Sequence, residues 1–259
     1  MIIKNSTRLN YLDTLRGIAI ILIVLGHMER GMVSLGINAS YTNILDQIVY
    51  SIHLPLMFIL SGMVENIFGK LKSNKVSYIK YLKKNIIALY IPYLIFIYTY
   101  WFIKMYIFSG NNEASFSDIF HLFYNGKWIF WFLLSLLSIK SVHGLFEKYI
   151  TNKYISTLFF GIVYISSLFT NTKLIDWLSY GLFYNMGYLI NENNILKKMK
   201  KKTLIINLLL LITGLITLNL FSYKIQMLLI GVPVSIILLN VFYKKVVFNF
   251  MTEIYKNVI

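Results

Sequence analysis

The sequence predicts an all-α fold: a polytopic membrane helix bundle of about eight transmembrane helices with a cytoplasmic N-terminus. Three observations lead there. The 259 residues are 58% hydrophobic and only 14% charged, a composition of membrane proteins rather than of soluble domains with large cores. Apolar runs recur at the length a bilayer demands. The basic residues behind the +15 net charge fall between those runs, which points to anionic lipid headgroups and not to nucleic acid as their partner. There is no cysteine, so thiolate nucleophiles, disulfides and sulfur metal sites are excluded. No metal ligand set is expected.

The spans are read at 11–29, 44–68, 86–108, 128–142, 154–170, 177–190, 204–221 and 225–243. The first carries Arg16 and His27 and has no small-residue cleavage site, so it is retained rather than processed as a signal peptide. With eight spans in alternation, twenty of the twenty-five Lys and Arg residues fall on one side, leaving Arg30, Lys104, Lys127, Lys173 and Lys224 on the other. Positive charge resists translocation, which makes the first side cytoplasmic. The connection 109–127, with Glu113, Asp118 and His121, is then the longest external segment, a candidate lid or vestibule whose carboxylates read as solvated loop charges. Residues 1–245 read as one transmembrane domain and 246–259 as a short tail.

Chemistry concentrates in the first two spans. Ten residues separate Arg16 from His27, and eleven steps of about 100° end about 20° past three full turns. Both side chains therefore project from one face, about 16 Å apart along the axis. Ionisable residues inside a membrane span are costly and point to function. The competing readings are an interfacial ion pair of Arg16 with Asp13 and a hydrogen-bonded helix contact for His27. His53, on the second span, reaches a depth similar to that of His27 from the opposite chain direction, so neighbouring helices would let the two imidazoles face each other. Pro55 removes a backbone donor and is expected to kink or loosen the second helix just beyond His53. An imidazole titrates near neutrality and can take a hydroxyl proton. Ser61 lacks an adjacent base and reads as a serine bonded to its own backbone beside the close-packing Gly62. The lysines of 70–84 read as an anchor that can also dock a phosphorylated donor, and Trp128 to Phe132 as an interfacial aromatic belt.

Together these pieces resemble the membrane-bound acyltransferase family 3, bacterial integral-membrane O-acyltransferases of the glycan O-acetylase type. The resemblance is carried by Tyr11-Leu12-Asp13-Thr14-Leu15-Arg16-Gly17-Ile18-Ala19 with His27, and by His53-Leu54-Pro55-Leu56-Met57-Phe58-Ile59-Leu60-Ser61-Gly62. Ile91-Pro92-Tyr93, Trp131-Phe132-Leu133 and Gly187-Tyr188-Leu189-Ile190 support it. It implies acetyl-CoA or another acyl-CoA as a cytoplasmic donor, and as acceptor a hydroxyl of a cell-surface polysaccharide or its lipid-linked precursor. It implies His27 as the catalytic residue, with Arg16 in the donor passage; His53 joins them as a candidate on position. The basic residues expected before the third-helix proline are replaced by Asn85 and Ala88, so Lys80, Lys83 and Lys84 stand in from an earlier turn. The resemblance also implies further helices, and 246–259 is too short for a ninth span. The chain thus reads as short at its C-terminus, as a truncated product, or as one completing its bundle with another copy or another protein. The expected location is the cell membrane, with several passes. Two other readings stand beside the acyltransferase: a lipid-linked glycan transporter or polymerase-like protein, and an inactive truncated acyltransferase.

Overall fold

The computed structural model describes residues 6–34, 36, 42–68, 71, 76–106, 115–126, 130–150, 152–170 and 172–244, and among them there are helices and turns but no strand. In chain order the helices are α1 (Ser6–Ser34), α2 (Thr42–Phe68), α3 (Tyr78–Asn85) and α4 (Ile91–Tyr106), the last two joined by a π-helical turn, Ile86–Tyr90. A 3₁₀ turn, Phe116–Phe120, and the short α5 (Leu122–Asn125) lead to α6 (Trp131–Tyr149), α7 (Lys153–Ser166), α8 (Lys173–Ser179) and α9 (Gly181–Glu192). The chain ends in α10 (Ile195–Lys198), α11 (Lys201–Ile216), α12 (Tyr223–Gln226), a second π turn, Met227–Gly231, and α13 (Val232–Lys244).

Among the described residues each expected span overlaps a helical stretch. Among the described residues four stretches are long and apolar enough to cross a membrane: Tyr11–Val33, Ile44–Phe68, Tyr78–Tyr106 and Tyr223–Tyr243. The remaining four, on α6, α7, α8 with α9, and α11, are shorter or more polar. Several boundaries differ from the sequence reading. The third stretch starts at Tyr78, not Ile86, because Ser77 caps it: its hydroxyl accepts from the Lys80 amide at 3.3 Å. Lys80, Lys83 and Lys84 therefore sit on a helix and not in a connecting loop. The sixth stretch is interrupted at Tyr180. The fourth begins at Trp131; Trp128 lies outside the described residues, as does Glu113.

The chain divides into two compact units, Met1–Ile67 with Met186–Ile259, and Phe68–Asn185. In the first unit glycines let helices approach α2 at backbone distance. A methyl group at Gly187 would lie 1.9 Å from the Ile59 carbonyl oxygen, and one at Gly231 would lie 1.9 Å from the Ser51 oxygen. That second contact has a cause in Pro55. Proline lacks the N–H that would bond the carbonyl four residues earlier, which is that of Ser51. α2 is helical through Pro55, and Gly231 covers the carbonyl left without that donor. The other two prolines act on their own helices. Pro92 and Pro233 each follow a π turn, closed by Ile91 N–H to the Ile86 oxygen and by Val232 N–H to the Met227 oxygen. A wider turn accommodates a proline ring that would clash with a regular α-helical carbonyl.

In the second unit α4, α6 and the segment 115–126 enclose a core of Tyr93, Ile97, Trp101, Leu122 and Leu134. Tyr78 donates to the Ser141 carbonyl at 2.9 Å, tying α3 to α6. Ser135 donates to the Trp177 carbonyl at 2.8 Å, tying α6 to α8.

Candidate active site

The sequence-predicted residues of the first two spans lie in the first unit. α1 is continuous from Ser6 to Ser34, so the helical spacing that puts Arg16 and His27 on one stripe holds. Arg16 pairs with Asp13 through Nη1 and Oδ1 at 3.1 Å, both side chains about one-fifth exposed. Ser61 donates to the Met57 carbonyl at 2.8 Å, the backbone-bonded serine expected.

His27 and His53 come close, but not face to face. The Tyr50 ring stands edge-on to both, its centroid 6.2 Å from that of His27 and 4.7 Å from that of His53. The Tyr50 hydroxyl is 3.5 Å from His27 Nδ1. The two imidazoles differ in access: His27 is exposed, while His53 is 3% exposed. They also differ in what fixes their protons. His53 Nδ1 lies 2.7 Å from the Val49 carbonyl oxygen. A carbonyl only accepts, so Nδ1 carries the proton and, in the neutral ring, Nε2 keeps its lone pair. A tyrosine hydroxyl can donate or accept, so the His27 tautomer is not fixed by its neighbour.

A ring of charge surrounds Tyr50. Arg30 makes a two-pronged ion pair with Asp46, Nε to Oδ1 at 2.6 Å and Nη2 to Oδ2 at 2.9 Å. Its guanidinium also lies 3.4 Å from the centroid of the Tyr50 ring. The paired geometry and the ring face both suit a planar cation. Val49 and Tyr50 themselves press on Gly26, where a methyl group would meet each side chain at 3.1 Å. Glu29 is buried, and its Oε1 makes no hydrogen bond within the described residues.

Glu29, Arg30, Asp46 and Tyr50 are the neighbours that the sequence reading missed. A signal existed: positions 46, 50 and 53 follow helical spacing on α2, as 27 and 30 do on α1. Lys80, Lys83 and Lys84 lie in the second unit, exposed on α3, while Tyr81 and Asn85 on the same helix are buried. As cations on a helix surface they are able to hold a phosphorylated ligand. Asp118 accepts from the Ser115 amide at 2.9 Å, so it caps a turn and is more than a solvated loop charge. Among the described residues no group of three or more His, Asp or Glu side chains is placed to hold a metal ion.

A family model described as an acyltransferase domain, that of acyltransferase family 3, matches residues 9–254. The chain belongs to this family. It is an acyltransferase and, with four stretches able to cross a bilayer, a membrane protein. No curated protein and no solved structure matches the acyltransferase. The match runs through α1, α2, α4 and α13, so the residues around Tyr50 and the helices that pack on α2 all lie inside the family domain.

Proposed function

We propose that this acyltransferase moves an acetyl or other short acyl group from a cytoplasmic acyl-CoA to a hydroxyl of a cell-surface polysaccharide or of its lipid-linked precursor. The observation that carries the reading is the exposed His27 imidazole beside the Tyr50 hydroxyl, on the same helix stripe as Arg16. In this reading His27 Nδ1–H donates to the Tyr50 oxygen, which leaves Nε2 as the base. Nε2 removes the proton of the acceptor hydroxyl, whose oxygen attacks the thioester carbonyl. The carbon–sulfur bond breaks, and the departing thiolate takes up a proton. His53, being buried, supports the Tyr50 ring rather than meeting substrate. Arg16 holds donor phosphates, and Lys80, Lys83 and Lys84 attract the same anion by charge.

In topology, the eight stretches pass the cell membrane several times with the N-terminus inside, as the lysine asymmetry demands. A donor used from the cytoplasm then meets Arg16 first and His27 deeper along the same stripe.

The test compares the O-acyl content of surface glycans in cells carrying the intact gene and the His27→Ala variant, with membrane levels of the protein matched by immunoblot. O-acylation that depends on His27 supports the proposal. Equal O-acyl content in the two strains would overturn it.

A further inference from the structure

Residues 115–126 connect α4 to α6, the place where an external loop was expected, yet their contacts are those of a packed element. Four side chains on α4 and the preceding π turn donate to their carbonyl oxygens in strict antiparallel order. Trp101 bonds Ser115 at 3.0 Å, Tyr98 bonds Ile119 at 3.1 Å, Tyr93 bonds Leu122, and Tyr90 bonds Phe123 at 3.0 Å. From Trp101 to Tyr90 is about 16 Å of helix rise, and Tyr90 lies about 24 Å from the Tyr106 end. The segment thus runs back along a stretch long and apolar enough to cross a bilayer. It turns at Gly126, whose φ is +56° and whose amide donates to the Tyr93 hydroxyl at 3.2 Å.

Water would satisfy such carbonyls in an external loop at no structural cost. Irregular backbone at membrane depth must instead find its partners in protein, and a row of aromatic donors supplies them. The polar side chains are satisfied in the same way. Asp118 accepts from the Ser115 amide, His121 Nδ1 donates to the Ser117 carbonyl at 3.1 Å, and Asn125 accepts from Lys173. On the opposite side Phe116, Phe120, Phe123 and Tyr124 are 64%, 67%, 47% and 51% exposed. Ser117 and His121 are exposed among them, with their polar groups bonded inside the segment, to Ser115 and to the Ser117 carbonyl.

We propose that residues 115–126 form a re-entrant segment laid along α4, with the face of Phe116, Phe120, Phe123 and Tyr124 against lipid acyl chains. The occupant is lipid because the face lies beside the same α4 whose Ile95, Phe96, Phe102 and Tyr106 are also exposed. Aromatic side chains are the residues that bilayer interfaces favour.

The absence of cysteine makes the test clean. Phe120→Cys and Phe123→Cys are made singly in the full chain, with Phe116→Cys held for the case that either fails to fold, and Lys198→Cys as the exposed reference. Each is reconstituted in phosphatidylcholine nanodiscs, where both membrane faces are open to reagent. The expected result is slow reaction with a membrane-impermeant maleimide relative to Lys198→Cys. A bimane label placed at the same positions is expected to be quenched by brominated acyl chains. Reaction as fast as the reference would show a water-facing loop and overturn the proposal. Slow reaction without lipid quenching would also overturn it, by showing that protein, a second copy included, covers the face.

Discussion

The two units solve the problem of irregular groups in a membrane protein in opposite ways. In the first, helices come together at backbone distance through Gly187 and Gly231, and His27, Arg30, Asp46 and His53 gather around Tyr50, apart from a second polar group of Asn66, Asn191 and Glu192. In the second, aromatic side chains do both tasks. They fill the space beside glycines, as the Phe160 ring does at Gly181 and the Tyr81 ring at Gly144, and they donate to the carbonyls of 115–126. The lesson is that a close-packed glycine scaffold holds unlike charges in a fixed arrangement, where an aromatic scaffold satisfies backbone and encloses neutral polar groups such as Ser156 and Thr157 about Asn185. Chemistry is expected in the first unit for that reason.

The largest test of that contrast is catalytic. His27→Ala should lower the rate of acyl transfer by about 10²–10⁴-fold, the usual worth of a positioned general base. Arg16→Ala should also depress it, because Arg16 would no longer hold the donor. Both are measured as initial rates in proteoliposomes at matched protein level. Retention of rate in both variants would move the site out of the first unit altogether.

The scaffolds themselves come next. Gly231→Val places side-chain atoms where the Ser51 carbonyl oxygen already sits, and no backbone can yield there without moving α2. A loss of stability above about 3 kcal/mol is expected, beyond the range of ordinary overpacking. Gly144→Ala asks only two rings to shift, Tyr81 at 2.8 Å and Tyr78 at 3.3 Å from the added methyl, and about 1–3 kcal/mol is expected. Thermal denaturation in detergent gives both values. If Gly144→Ala proved the more damaging, the distinction between backbone and ring packing would fail.

A finer test separates positioning from packing. Tyr50→Phe keeps the ring that touches both histidines and the Arg30 guanidinium but removes the hydroxyl near His27 Nδ1. We expect about a tenfold fall in kcat, equivalent to about 1.4 kcal/mol, with KM for the donor and thermal stability little changed. The pH–rate profile should shift as well, since the neighbour of the titrating imidazole is gone. A parallel loss of stability, with no change in the profile, would make Tyr50 a packing residue only.

What the sequence made legible follows from how local each signal is. Arg16 and His27 share one helix, so spacing alone aligns them, and their cost in an apolar run draws notice. Tyr50 was invisible because tyrosine is common here, twenty in all, and its two histidine contacts belong to different helices. The Arg30–Asp46 pair joins residues sixteen apart across a helix turnaround, which no periodicity within one element reveals. The proline effects split the same way. Ile91-Pro92 and Val232-Pro233 mark their own π turns, but that Pro55 would be tolerated depended on Gly231, which lies far along the chain. The segment 115–126 read as a loop because its partners, Tyr90, Tyr93, Tyr98 and Trp101, lie 14 to 33 residues away on another helix, where periodicity within one element does not reach.

The smallest expected effect concerns charge that is arranged for attraction rather than held in place. Arg30 is clamped by Asp46 and a ring face, and Arg16 pairs with Asp13, whereas Lys80, Lys83 and Lys84 are exposed on α3. Exposed charges act over roughly a Debye length, about 8–10 Å at ordinary salt, and individually contribute little. Changing all three to Gln should therefore raise KM for an acyl-CoA donor only a few-fold and leave kcat alone, since an attraction felt before the chemical step does not distinguish ground state from transition state. Added salt should raise KM for the unaltered protein in the same sense and have less effect on the triple variant. A drop in kcat, or a KM that ignores ionic strength, would mean that these lysines bind the donor in a fixed geometry. The second unit would then hold organised charge of its own, and the contrast between the two scaffolds would have to be redrawn.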